Sequence, residues 1–346
     1  MVVGKTAPDF WFEPFSWQAL LLSPVGSAYG SIAARRMANA EPEKINAPVL
    51  CVGNFTVGGT GKTPTARKLV EEAQQMGLRP GIILRGYGGK QRKPHLVDPA
   101  TDTAETVGDE ALLYAKNVTT VVGADRAAAA KALRETGCDL LIMDDGFQSR
   151  GLHYDYALIT VDARRGFGNR QSVPAGPLRA PLPVQMSYAD MLLFIGEGPR
   201  EGETLRVAAR AAKPLTHASV APVQAKTLLR KKMIAYSGIG DPEKFFQTIR
   251  AHGGNLVHAQ PFPDHHEFTE LDASALLDAA RRNKLSLVTT EKDWVRLEKQ
   301  TGLRGELAEK SAVLRVELEF ADPGKPKQII QATMANYQTR KLESGL

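Results

Sequence analysis

The segment with the clearest chemistry is 56–63, which reads Thr56-Val57-Gly58-Gly59-Thr60-Gly61-Lys62-Thr63. It follows an apolar run at 48–52 and opens a helical pattern at 64–76, the context a phosphate-binding loop requires. Glycines there let successive backbone N–H groups converge on phosphate oxygens, and the helix N-terminus adds positive potential. Lys62 is spaced to reach a β- or γ-phosphate, and the Thr63 hydroxyl to ligate Mg²⁺. One position departs from the common pattern: Thr56 stands where a glycine usually opens the loop. A second apolar run, 140–143, ends in Asp144-Asp145-Gly146. An acidic residue at such a strand end is where these folds hold the metal. Successive strand residues point to opposite faces, so one of the two aspartates is expected to face it. A pair of helix caps is the bland alternative.

Phosphoryl transfer to a sugar hydroxyl would also need a group that orients or deprotonates that hydroxyl. Two places offer one. Val107-Gly108-Asp109-Glu110 sets two carboxylates at a loop-to-helix junction, and Asp264-His265-His266-Glu267 lies beyond a strand-like run at 256–260. Asp109 also reads as a helix cap with Glu110 in the first turn, where negative charge suits the helix dipole. The histidines also read as a solvated loop or a metal site, but with no cysteine or second histidine pair nearby zinc is not expected. If two domains close on each other, Asp109 can accept the hydroxyl proton while His265 or His266 orients or relays it. The nucleotide is expected to be ATP. Guanine-specific proteins carry Asn/Thr-Lys-x-Asp, and the nearest segment here, Thr290-Glu291-Lys292-Asp293, is spaced differently.

These groups need a frame of alternating strands and helices. Apolar runs at 48–52, 81–84, 118–122, 139–143, 157–161 and 191–195 alternate with helical stretches at 64–76, from Asp109 onward and at 127–136. That is the pattern of βαβ units on a parallel sheet. Residues 90–107 are a polar excursion. The pattern restarts with strands at 233–236, 256–260, 286–290 and 312–320, and helices at 242–252 and 272–283. The expected fold is α/β: a P-loop NTPase-type parallel sheet flanked by helices, with a second, smaller α/β domain. The expected division is an aromatic membrane-associating segment at 1–36, a phosphate-loop domain at 37–225 and the smaller domain at 226–346, with a linker inside 213–230.

The first thirty residues crowd together Phe10, Trp11, Phe12, Phe15, Trp17, Leu20, Leu21, Leu22 and Tyr29, and Arg35-Arg36 follow. Pro14 and Pro24 interrupt the run, so it falls short of the roughly 20 apolar residues of a spanning helix. It also lacks the architecture of a secretory signal. Aromatics beside a basic pair suggest an element lying in the membrane interface; a helix packed on its own domain is the alternative. The net charge of +6 suits an anionic substrate or an anionic membrane surface and is no nucleic-acid signature. With 43% hydrophobic and 24% charged residues, the 346-residue chain can bury a large core. Cys51 and Cys138 are its two cysteines, and both sit in apolar runs as core thiols, a usage that fits a reducing cytosol.

Taken in order, the 56–64 loop, Arg85-Gly86-Tyr87-Gly88, Val107-Gly108-Asp109-Glu110 and Asp144-Asp145-Gly146-Phe147-Gln148 resemble the tetraacyldisaccharide 4'-kinases of lipid A synthesis. So do Gly168-Asn169, Pro174-Ala175-Gly176-Pro177-Leu178-Arg179, Ser237-Gly238-Ile239, Phe262-Pro263-Asp264-His265-His266 and Thr290-Glu291-Lys292-Asp293. The likeness runs from the aromatic N-terminus to about residue 320. It implies transfer of the γ-phosphate of ATP, with Mg²⁺, to the 4'-hydroxyl of an acylated glucosamine disaccharide 1-phosphate. It also implies a peripheral protein at the cytoplasmic face of a Gram-negative inner membrane. It pairs Asp109 with a histidine, carried here to His265, and places Mg²⁺ near Thr63 with help from Glu110 or from Asp144 and Asp145. It sets Arg126, Asn169 and Arg179 near the cleft as substrate contacts. Ser149 departs from the family, which usually has histidine there; serine donates a hydrogen bond but does not titrate near neutrality. Two rival classes share the loop: a P-loop ligase that activates a carboxylate with ATP, and a nucleotide switch that recruits partners to the membrane.

Overall fold

The apolar runs become strands in the computed structural model, which describes residues 7–223, 228 and 230–344. They are β1 (Val49–Gly53), β2 (Pro80–Leu84), β3 (His95–Leu96), β4 (Thr119–Val122), β5 (Leu140–Asp144), β6 (Tyr156–Asp162), β7 (Met191–Ile195), β8 (Leu215–Pro222), β9 (Lys232–Ser237), β10 (Asn255–Pro261), β11 (Ser286–Thr290), β12 (Ser311–Leu314) and β13 (Val316–Phe320). Nine of them form one sheet in the order β13-β8-β7-β6-β1-β5-β2-β4-β3. It is parallel except at its ends, where β3 lies antiparallel to β4 and β13 to β8. The order β10-β9-β11-β12 makes a second, all-parallel sheet.

β1 is buried along its length, and its residues feed two cores. Val49 and Cys51 join Met143 and Phe147 on one face, while Leu50 and Val52 join Leu69 and Ile142 on the other. Burial on both faces is why these strands read as unbroken apolar runs. Cys51 and Cys138 are free and buried. The parallel order brings the C-terminal ends of the strands to one edge of the sheet, where ligands sit in such folds. The 54–61 loop, Asp144-Asp145, the 123–126 turn and Asp162 all emerge there.

Two expected boundaries differ. The alternating run 312–320 is two strands, β12 in the small sheet and β13 in the large one, with Arg315 between them. β13 pairs with β8, and the Lys325–Ser344 helix packs on β1 and β6. Residues 316–344 therefore lie on the large body, not with the rest of 226–346. Period-two alternation is the same in both strands and carries no information about which sheet each half joins. β8 itself occupies part of the stretch expected as linker; residues 224–227 and 229 of that stretch lie outside the described residues. The returning helix is fastened by Arg340, whose guanidinium meets both Asp155 oxygens at 2.7 and 3.1 Å and donates to the carbonyls of Ile45 and Ala47.

The aromatic N-terminal segment forms a helix, Trp17–Ala38, that runs through Pro24. Proline cannot donate to the carbonyl four residues back, but that carbonyl, Leu20 O, accepts the Ser23 hydroxyl at 2.9 Å instead. Ala19, Gly26, Gly30 and Met37 face inward. A Cβ at Gly26 would stand 2.7 Å from the Ser172 carbonyl oxygen, so glycine lets the helix seat against that turn. Trp17, Leu20, Leu21, Val25 and Ile32 face outward, each more than half exposed. Large apolar side chains thus stand where a surface helix usually carries polar ones, and the inward face is made of small residues and one methionine. Among the described residues no helix is long and apolar enough to cross a membrane.

Candidate active site

Asn54 shapes the loop after β1: its side-chain amide donates to the carbonyls of Thr56 at 2.7 Å and Gly58 at 3.3 Å. The loop is backed by the 172–179 segment, with Val57 N–H donating to Pro177 O at 2.8 Å and Arg179 N–H to Phe55 O at 2.9 Å. Gly58 and Gly61 take φ of 109° and 88°, the region open to glycine. Thr56 instead pairs as an extended bridge with Leu178, and an extended residue needs no glycine. That accounts for the threonine at the opening of the loop.

Lys62 begins the Lys62–Gln75 helix, its ammonium 3.7 Å from Asp145 Oδ1. Burial lowers its pKa against the opposing charge of Asp145. Arg179 holds Asp145 from the other side, at 2.7 and 3.3 Å. Burial pushes Asp145 up, but Lys62 and Arg179 hold it down at about 2. Asp144 faces the other way, as strand alternation requires. Its Oδ2 accepts the Tyr114 hydroxyl at 2.8 Å, and its Oδ1, buried, has no partner. Burial and the charge of Glu110 push Asp144 up to about 7. The Thr63 hydroxyl donates to Glu110 Oε1 at 3.3 Å. An orphaned carboxylate oxygen beside a hydroxyl and a second carboxylate is a hard, all-oxygen donor set. Mg²⁺ takes one or two carboxylates plus phosphate oxygens and waters, so Asp144, Thr63 and Glu110 fit it.

Asp109 opens the Asp109–Ala115 helix and is buried. Its Oδ1 accepts the Glu110 N–H at 2.8 Å, and its Oδ2 lies 3.4 Å from His265 Nδ1. Burial would raise the Asp109 carboxyl, but the His265 hydrogen bond and the charge of Arg296 hold it well below the usual range. The same hydrogen bond raises His265. His266 turns away, 3.0 Å from Asp272 and stacked on Phe262. Of the two histidines, His265 meets Asp109.

Comparison with known proteins decides the family. The family model described as tetraacyldisaccharide-1-P 4'-kinase matches residues 18–335. The chain belongs to that family. The tetraacyldisaccharide 4'-kinase of Chelativorans sp. (strain BNC1) is 48% identical over 99% of this chain and 100% of its own length. That of Brucella canis is 46% identical over 98% of this chain and 99% of its own. Among solved structures, LpxK from Aquifex aeolicus in complex with ATP matches with a TM-score of 0.70 and 25% identity, covering 91% of this chain and 99% of that one. Membership of the 4'-kinase family sets aside the ligase and switch classes.

The remaining expected contacts divide. Arg126 is buried, donates to Gly123 O at 2.7 Å and leaves its Nε unpartnered. Arg126 and Arg179 line a cavity of about 880 Å³, with Asp144, Asp145 and Ser149, that also reaches Tyr29 and Ile32 of the N-terminal helix. Asn169 is not among these residues. Its side chain donates to Ala175 O at 2.9 Å and accepts the Gln171 N–H at 3.1 Å, bracing its own turn.

Three groups at the site escaped sequence reasoning. Tyr114 was available in principle, four residues after Glu110 and so on the same helix face. Lys292 and Arg296 are likewise four apart, on the Glu291–Leu297 helix. Lys292 pairs with Glu110 and Arg296 with Asp109. Asp293 is buried between them, accepting from Ser237 Oγ at 2.8 Å, Gly238 N at 3.0 Å and Thr290 Oγ1 at 2.7 Å. The segment that lacks guanine spacing thus ties the small sheet to the large one.

Proposed function

We propose that the chain transfers the γ-phosphate of ATP to the 4'-hydroxyl of a tetraacylated glucosamine disaccharide 1-phosphate in lipid A synthesis, in the cleft between its two sheets. One juxtaposition carries the reading: the phosphate loop with Lys62, Asp144 and Asp145 opens onto the same edge as the Asp109–His265 pair, and its cavity extends to an outward-facing apolar helix. Backbone amides of Gly58, Gly59, Thr60 and Gly61 cradle the triphosphate. Lys62, held near Asp145 beforehand, stabilises charge on the phosphoryl in flight, the main lever in this reaction class. Asp144, Thr63 and Glu110 would hold Mg²⁺, which when bound neutralises charge on the phosphate oxygens. Asp109 accepts the sugar hydroxyl's proton while His265 orients the carboxylate. Arg126 and Arg179 offer cations to an anionic substrate; Asn169 braces the turn that leads to Arg179. The acyl chains stay in the bilayer beside Trp17, Leu20 and Leu21, and Arg35-Arg36 meet its anionic surface. The protein would then work peripherally at the cytoplasmic face of the inner membrane, with no nucleic-acid partner.

The test is phosphoryl transfer from labelled ATP to a disaccharide 1-phosphate lipid in mixed micelles. Transfer should depend on the lipid, and Lys62→Ala should lower kcat by about 10²–10³-fold. ATP turnover indifferent to the lipid, or a Lys62→Ala enzyme with normal kcat, would overturn the reading.

A further inference from the structure

We infer that Arg296 is a positioning residue for phosphoryl transfer: it reaches across from the small sheet and fixes the Asp109 carboxylate in the orientation that receives the sugar hydroxyl. The inference rests on the role given to Asp109 above and extends it to the opposite unit. The Arg296 side chain is 9% exposed and that of Asp109 2%. Its Nε, at 3.1 Å, and its Nη2 both donate to Asp109 Oδ2. Its Nη1 donates to Gly238 O and Asp293 Oδ1, each at 2.9 Å. Asp293 is itself fixed by Ser237, Gly238 and Thr290, so the guanidinium is held from behind and has little freedom to turn.

The consequence falls on Asp109. A carboxylate offers about four lone-pair directions. The two guanidinium donors take up Oδ2, with His265 Nδ1 3.4 Å from that oxygen and 3.4 Å from Arg296 Nη2, while Oδ1 accepts the Glu110 N–H. One lone pair on Oδ1 is left to accept a hydroxyl proton. Without the guanidinium the carboxylate can rotate, and the aim of that lone pair is lost. A planar fork suits this task and an ammonium does not. The ammonium on the same helix, Lys292, goes to Glu110 instead. Other ion pairs join the two units without touching Asp109, such as Lys116–Glu298 at 2.8 Å. They separate a positioning role from simple adhesion between the units.

The experiment uses the full chain and the lipid acceptor assay, with Arg296→Ala, Arg296→Lys, Asp109→Asn, the double variant Asp109→Asn/Arg296→Ala, and Lys116→Ala as the adhesion control. Arg296→Ala should lower kcat about 100-fold, the cost of a misaimed catalytic group, with KM for ATP nearly unchanged. Added guanidinium ion should restore part of that loss. Arg296→Lys should recover little, the double variant should be no slower than Asp109→Asn alone, and Lys116→Ala should keep its kcat. If Arg296→Ala does not fold, Arg296→Lys carries the test, because it keeps charge and bulk. Normal kcat in Arg296→Lys, a loss seen only in KM, or additive losses in the double variant would overturn the inference. Normal kcat in Asp109→Asn would remove the role of Asp109 itself. An inactive Asp109→Asn beside an active Arg296→Ala would remove only the inference about Arg296.

Discussion

Replacing Asp144 by asparagine should stabilise the nucleotide-free protein at alkaline pH while removing its activity. The residue is 2% exposed, its Oδ1 has no partner, and burial with the charge of Glu110 raises its pKa from 3.8 to about 7. A shift of roughly three units, at about 1.4 kcal/mol each, is on the order of 4 kcal/mol. The sign follows from proton linkage. Between about pH 4 and about pH 7 the folded state keeps a proton that the unfolded chain has released, so stability falls as pH rises, and the whole penalty stands above the folded pKa. Asparagine carries no charge, and its carbonyl still accepts the Tyr114 hydroxyl, so the variant escapes that penalty. Urea denaturation in EDTA at about pH 5 and about pH 8.5 reads the effect: a gain of about 1.5 kcal/mol at the lower pH, just over one unit above the unfolded pKa, and of up to about 4 kcal/mol at the higher. Phosphoryl transfer should fall by about 10²–10³-fold, because the unpartnered oxygen is the one that would face the cation. A variant equally destabilised at both pH values would refute the reasoning and make Asp144 an ordinary structural carboxyl. Retained activity would separately remove it from the metal site.

Two further outcomes test the ends of the chain. Trp17→Ser with Leu21→Ser removes two outward side chains worth about 1.5–3 kcal/mol each when fully buried, so binding to anionic vesicles should drop at least about 100-fold in a sedimentation assay; unchanged binding would reject membrane contact by this helix. Arg340→Ala should cost about 3–5 kcal/mol in urea melts, since the buried Asp155 loses its ion-pair partner; a loss under about 1 kcal/mol would show that this pair does not fasten the C-terminal helix to the large body.

Much of the frame was legible because it rests on local rules. Strands buried on both faces leave unbroken apolar runs, and the run at 191–195 coincides with β7, as 286–290 does with β11. The phosphate loop was legible because glycine, lysine and threonine at that spacing serve backbone geometry. Pairing of the ends was not. Val316–Phe320 looks the same whether it joins its neighbour β12 or crosses to β8, and a Pro24 inside a helix is readable only once Ser23 is seen to satisfy the abandoned carbonyl. Asn169 shows how little a motif says of local packing: its place there suggested substrate, and the contacts its side chain makes brace its own turn.

By itself the sequence determined the alternating α/β frame, the phosphate loop and the acidic strand end, because each follows from near neighbours along the chain. Its local pattern left His265 and His266 equivalent, with only the family resemblance favouring His265, and gave no sign of Arg296. The tertiary structure decided both, by setting the small sheet against the Asp109–Ala115 helix so that His265 and Arg296 reach one carboxylate while His266 turns to Asp272. The reason is geometric: partners 156 and 187 positions away from Asp109 in the chain meet it only through the packing of two units, and no local pattern encodes that distance.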